Sequence, residues 1–116
     1  STVTIQVAGI LSFVVLKILA FQDRHDNKDA YDLVYTLLYF EGGPEGAART
    51  ASASPIRLEP LVVEAMNLLG ERFETIDKDG PRAYAAFVAD SASDDTSVAA
   101  RRTAQATVAA FLALLT

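Results

Sequence analysis

Residues 9–40, GILSFVVLKILAFQDRHDNKDAYDLVYTLLYF, decide how the chain folds. Ile10, Phe13, Val14, Lys17, Phe21 and Arg24 recur at helical spacing along one side of the first half, and Leu11, Val15, Ile18 and Leu19 fill the other. A helix that is apolar nearly all round belongs in the centre of the packing. The run Asp23-Arg24-His25-Asp26-Asn27 interrupts it with a polar turn. Asp26 or Asn27 can cap the next helix there, and Asp29 supplies first-turn negative charge. Tyr31, Val34, Tyr35, Leu37 and Leu38 give the second helix, about residues 28–40, its 3.6-residue stripe. Two helices joined by so short a turn form an αα-hairpin.

Outward from this hairpin the helical pattern continues. Glu41-Gly42-Gly43 ends the second helix and Pro44 suits the first turn of a short one over about residues 44–51. A Ser/Ala/Pro loop leads to a fourth helix over about residues 58–73, with Leu61, Val62, Ala65, Leu68, Leu69 and Phe73 as its apolar side. The turn at residues 77–81 opens a fifth helix of about ten residues carrying Tyr84, Phe87 and Val88. Ser93-Asp94-Asp95 caps a last helix to about Leu115, whose core candidates are Val98, Val108, Phe111, Leu112 and Leu115. Twenty alanines favour helix and allow close packing. The expected fold class is mainly α, a bundle of five to six helices forming one domain over residues 1–116.

Residues 3–7 depart from this pattern. Val3, Ile5 and Val7 alternate with Thr4 and Gln6, which is the period of a half-buried strand. No other segment reads as a strand, so residues 1–8 are expected to form an extended arm or the edge of a sheet outside these residues. The chain begins at Ser1 rather than at methionine, in keeping with a processed or engineered product or an excerpt of a longer polypeptide.

Composition narrows the functional classes. With 116 residues, 51% hydrophobic and 22% charged, the chain suits one globular core. The absence of cysteine excludes disulfides and thiolate metal sites, and a single histidine, His25, leaves no imidazole cluster. A net charge of -5 opposes broad non-specific DNA binding but permits a local cationic pocket. The longest apolar run, residues 7–21, carries Lys17 and is shorter than the roughly twenty residues a membrane span requires, so no membrane partner is expected. Neither a basic leader nor a small-x-small cleavage site accompanies it, which argues against a signal peptide. Asp77-x-Asp79-Gly80 imitates part of a calcium loop, yet Thr75 and Ala86 occupy ligand positions.

Lys17 is the most informative residue. A lysine inside an apolar helix either extends its ammonium to water or serves a polar site. Arg24 follows two turns later on the same side, and Asp29 and Asp32 lie three residues apart on the next helix. Acidic residues at a helix start are also accounted for by the helix dipole alone.

Together these residues read K-x-x-A-x-x-x-R from Lys17 to Arg24, then K-D-x-x-D-L from Lys28 to Leu33. This resembles the motif that follows the catalytic core in nucleotidyltransferases of the abortive-infection AbiEii/AbiGii toxin type. The likeness continues more weakly through Gly80-Pro81 and Tyr84-Ala85-Ala86-Phe87. The resemblance implies a C-terminal helical part that is inactive alone, with nucleoside triphosphate and magnesium bound in the full protein and an antitoxin or an N-terminal catalytic domain as partner. It implies a cytoplasmic location, a contact of Lys17 with nucleotide phosphate, and an Arg24 that either assists with phosphate or holds Asp29 in place. Asp29 would be an acid-base or lysine-orienting carboxylate, with Asp32 in support. The Gly-Ser and D-x-D elements of that family, which carry its metals, are not found in place here, so no metal ligand is assigned. The alternative is a non-catalytic helical protein–protein interaction module. A self-sufficient carboxylate-pair enzyme is disfavoured, because two aspartates three residues apart on one helix seldom face each other across a cleft.

Overall fold

The computed structural model describes residues 2–89 and 94–116, with side chains described from Gly9 to Ala89 and from Asp95 onward. Six helices occupy them in the order α1 (Thr2–Arg24), α2 (Asn27–Tyr39), α3 (Gly43–Ser52), α4 (Pro60–Arg72), α5 (Asp79–Val88) and α6 (Asp94–Leu114). The mainly α bundle is therefore the architecture, and no strand occurs among the described residues. Ser93, expected as a cap of the last helix, lies outside them.

The strand expected at residues 3–7 is instead the first turn and a half of α1. A lone strand leaves its backbone N–H and C=O groups without partners, whereas extending an existing helix pairs them within the segment. Propagating a helix already nucleated by residues 9–24 also costs far less than starting one. Gly9, which the alternation marks as a boundary, lies inside α1 with open space around it.

The turn between α1 and α2 is built from two local devices. His25 takes a left-handed backbone (φ 52°) and its N–H donates to the Phe21 carbonyl at 2.8 Å, closing α1. Asp26, in extended backbone, then accepts the Lys28 N–H at 2.9 Å through its side chain and starts α2. The next turn uses Gly42 (φ 81°), and α3 begins at Gly43 (φ 69°) with Pro44 in its first turn.

Around α1 the core is continuous. Leu11, Val14, Ile18 and Phe21 from α1 meet Leu33, Val34 and Leu37 from α2, Leu69 and Phe73 at the end of α4, and Val108 and Phe111 from α6. Helix α3 contributes only small residues, Ala47, Ala48 and Ala51, which lets it lie close to α1 and α6. Arg72 ties the α1, α4 and α5 ends together, donating to Gln22 Oε1 at 2.9 Å and lying 3.5 Å from Asp79.

On α4 and α5, three residues of the expected apolar sides sit elsewhere. Leu61 is 56% exposed because it falls in the first turn of α4, off the stripe formed by Val62, Ala65, Met66 and Leu69. Phe87 and Val88 are nearly half exposed at the end of α5, which buries Gly80, Pro81, Ala83 and Ala85 instead. Phe87 is nonetheless engaged, its ring 4.6 Å from that of Tyr31. Tyr31 also stacks with Tyr84 at 6.0 Å and leads through Tyr35 to Tyr39, giving a run of rings along α2 and α5.

Candidate functional site

The antiparallel α1–α2 hairpin brings all four sequence-predicted site residues into one cluster. Lys17 Nζ donates to Asp32 Oδ2 at 2.9 Å and lies 3.7 Å from Asp29 Oδ1. Arg24 grips Asp29 with two parallel bonds, Nε to Oδ2 at 2.8 Å and an Nη to Oδ1 at 2.9 Å. Lys17 and Arg24 meet these carboxylates because they lie two turns apart on one side of α1, while Asp29 and Asp32 lie one turn apart on α2.

Sequence reasoning gave no role to a fifth member, Lys28. Its Nζ donates to Asp32 Oδ2 at 2.9 Å, so Asp32 is shared by two lysines. The signal was present: Lys28 precedes Asp32 by four residues on one helix. Phe13 is the other missed neighbour, its ring 5.5 Å from the Lys17 ammonium and one turn earlier on α1.

Burial in the cluster is graded. The Asp29 side chain is 3% exposed and that of Asp32 19%, whereas Lys17 is 24%, Arg24 60% and Lys28 63% exposed. The carboxylates form the floor and the cations the rim, and Asp23 and Asp26 of the adjoining turn also act on the rim charges. Hydrogen bonding from Arg24 holds the Asp29 carboxyl below the usual range, against the opposing effect of burial and with help from the Arg24 and Lys17 charges. Burial pushes Asp32 upward, but the hydrogen bonds and charges of Lys17 and Lys28 outweigh it and leave that carboxyl low as well. Arg24 and Lys28 are raised in turn, chiefly by their hydrogen bonds to Asp29 and Asp32.

A pH dependence follows. Since both carboxyls titrate lower in the folded state than their ordinary value of 3.8, their stabilisation is complete above that value and is lost as pH falls through the lower folded ones. Urea unfolding should show a stability plateau at neutral pH and a decline beginning below about pH 4. The double substitution D29N/D32N should flatten that decline. An unchanged slope in this variant would show that other groups drive the acid transition.

These residues do not fit a divalent cation. Both oxygens of Asp29 accept from Arg24, Oδ2 of Asp32 accepts from two lysines, and no group of three or more potential ligands occurs among the described residues. Asp77 and Asp79, the partial calcium-loop pair, diverge to separate partners, Arg101 and Arg72. His25 is exposed beside the cluster and sets its ring edge-on to Phe21 at 5.7 Å. No helix among the described residues is long and apolar enough to cross a membrane.

Comparison of the chain with protein-family profiles, with curated proteins and with solved structures returned no match in any of the three.

Proposed function

We propose that this chain is the C-terminal helical part of a nucleotidyltransferase-like protein of toxin type, cytoplasmic, whose α1–α2 cluster contributes the cations that hold a nucleoside triphosphate. The observation that carries the reading is the placement of Lys17. Its ammonium is not spent in bulk water but is oriented by Asp32 and Asp29 within a patch shared with Arg24 and Lys28.

In this reading the rim cations meet phosphate and the floor carboxylates aim them. Lys17 and Lys28 present compact charges, and Arg24 keeps its exposed edge for an oxyanion while Asp29 fixes the other. Of the two roles the resemblance offers Asp29, orientation is the better supported, because both oxygens are already engaged and the side chain is buried. Asp32 positions the two lysines. Magnesium would be held by carboxylates elsewhere in a longer polypeptide, and an antitoxin is a further partner of the same reading.

The test is Lys17→Met in the intact native polypeptide, assayed for nucleotide transfer. Transfer should fall by about 10²-fold or more, as for loss of a charge-stabilising donor. Stability should change by less than about 1 kcal/mol, because Lys28 still pairs with Asp32. Retained transfer would refute the assignment. A second reading, a non-catalytic helical interaction module, is favoured by the exposure of Leu16 (67%), Tyr35 (49%) and Tyr39 (73%) on the α1–α2 hairpin. A native chain with no catalytic segment and no transfer activity would move the assignment there.

A further inference from the structure

Between α5 and α6 lies an open hollow of about 300 Å³ lined by Arg82, Ala86, Ser97 and Arg101, with Arg82 also bordering Phe21, His25 and Asn27 at the α1–α2 turn. It lies at the small end of ligand-site volumes, suited to a compact polar group rather than an extended ligand. Two arginines bordering one concavity, Arg82 exposed and Arg101 partly buried, make it favourable to an anion. The described residues supply one only in part. Arg101 Nη1 lies 3.3 Å from Asp77, whose side chain is 82% exposed. Arg82 has no ion pair or side-chain hydrogen bond among the described residues, and the nearby Asp79 is paired with Arg72.

The decisive atom is Arg101 Nε. It is sealed from solvent and meets no hydrogen-bond acceptor. Buried donors are nearly always satisfied, so an orphan of this kind marks a place where an acceptor belongs. Nε is also part of the side-on edge by which arginine grips oxyanions, and Asp77 has taken the opposite nitrogen. In the present orientation Nε is closed off from the hollow, so an anion there meets it only when the guanidinium turns. Ser97, one helical turn before Arg101, adds a hydroxyl donor to the same lining.

We infer that Arg82, Ser97 and Arg101 form a binding site for a phosphate group, separate from the α1–α2 cluster. Tetrahedral phosphate suits the set better than a planar carboxylate, because its several oxygens accept from two guanidinium groups and a hydroxyl approaching from different directions.

The experiment is a ¹H–¹⁵N NMR titration of the chain with inorganic phosphate at constant ionic strength, following backbone signals and arginine Nε–H. Saturable shifts at Ser97, Arg82 and Arg101 are expected, with Kd on the order of 1 mM. Arg82→Gln should weaken binding about tenfold, while its phosphate-free spectrum matches the parent elsewhere. Should that variant lose its fold, R82K replaces it, since it keeps the charge and removes the fork. Repeating the titration with adenosine monophosphate separates the sources: tighter binding at the same residues identifies a phosphomonoester, and equal or weaker binding identifies free phosphate. Non-saturating shifts, shifts confined to Lys17, Arg24 and Lys28, or shifts unchanged by the Arg82 variants would overturn the site. Loss of transfer activity in Lys17→Met leaves this result untouched, so the two assignments fail independently.

Discussion

Gly46→Ala is expected to destabilise the fold by about 3 kcal/mol or more, at the upper end of overpacking effects. A Cβ on Gly46 would collide with the Glu41 carbonyl oxygen and stand 3.0 Å from its carbon. Neither obstacle is the free end of a flexible side chain. The carbonyl belongs to the turn that reverses the chain between α2 and α3, where the Gly43 N–H bonds to Phe40 O at 2.7 Å and the Gly46 N–H to Gly42 O at 3.1 Å. Relief therefore requires α3 to move away from α2, which opens the contacts of Ala47, Ala48 and Ala51 with the core. The control is the same substitution at Gly9. Nothing lies within 4 Å of a Cβ there, and the residue is inside a helix, so Gly9→Ala should stabilise by roughly 0.5 to 1 kcal/mol. Urea midpoints that move in the same direction for both variants would contradict the packing described for the α2–α3 turn.

Asp29→Ala should have the largest effect of any change in the ionic cluster, about 2 kcal/mol, or on the order of 10 °C in Tm. The substitution removes a buried acceptor of two charge-assisted hydrogen bonds and the first-turn negative charge of α2. The expected figure stays below that for a wholly buried pair, because Arg24, with its side chain 60% exposed, can turn to water once its partner is gone. Asp29→Asn, of the same shape and retaining one carbonyl acceptor, should lose less. Asp32→Ala should lose less again, since Asp32 is nearer the surface and its lysine partners are more easily resolvated. Thermal melts in which the Asp32 variant proves the weaker of the two alanine substitutions would reverse the assignment of floor and rim.

The helical order of the chain was legible because its periodic segments are punctuated by local signals that act without tertiary help: Asp26 as a cap, Gly42-Gly43 as a stop, and Pro44 in a first turn. The ionic cluster was legible for a related reason. Residues seven apart on one helix and three apart on the next must share faces, and a two-residue connection leaves the hairpin little freedom. Residues 3–7 were misread because five residues with alternating β-branched side chains fit a strand and a helix extension equally well. What separates the two is the presence of a partner strand, a fact that no local pattern contains. Leu61, Phe87 and Val88 illustrate the same limit, since helical spacing alone does not show how far a neighbouring element covers each apolar side. The hollow between α5 and α6 has no sequence signature at all, because Arg82 and Arg101 are joined only by the crossing of two helices.

The ladder of rings along α2 and α5 also fixes how this protein can be observed. It has no tryptophan, and its four tyrosines, Tyr31, Tyr35, Tyr39 and Tyr84, are all members of the ladder. Burial, with the neighbouring Tyr31 and Tyr39, raises the Tyr84 hydroxyl above its ordinary value. Near-ultraviolet dichroism and intrinsic fluorescence thus report the docking of α5 against α2, and are nearly silent about α3, α4 and α6. An optical melt of this chain follows that one helix pair, and only its agreement with far-ultraviolet dichroism makes it a melt of the whole bundle.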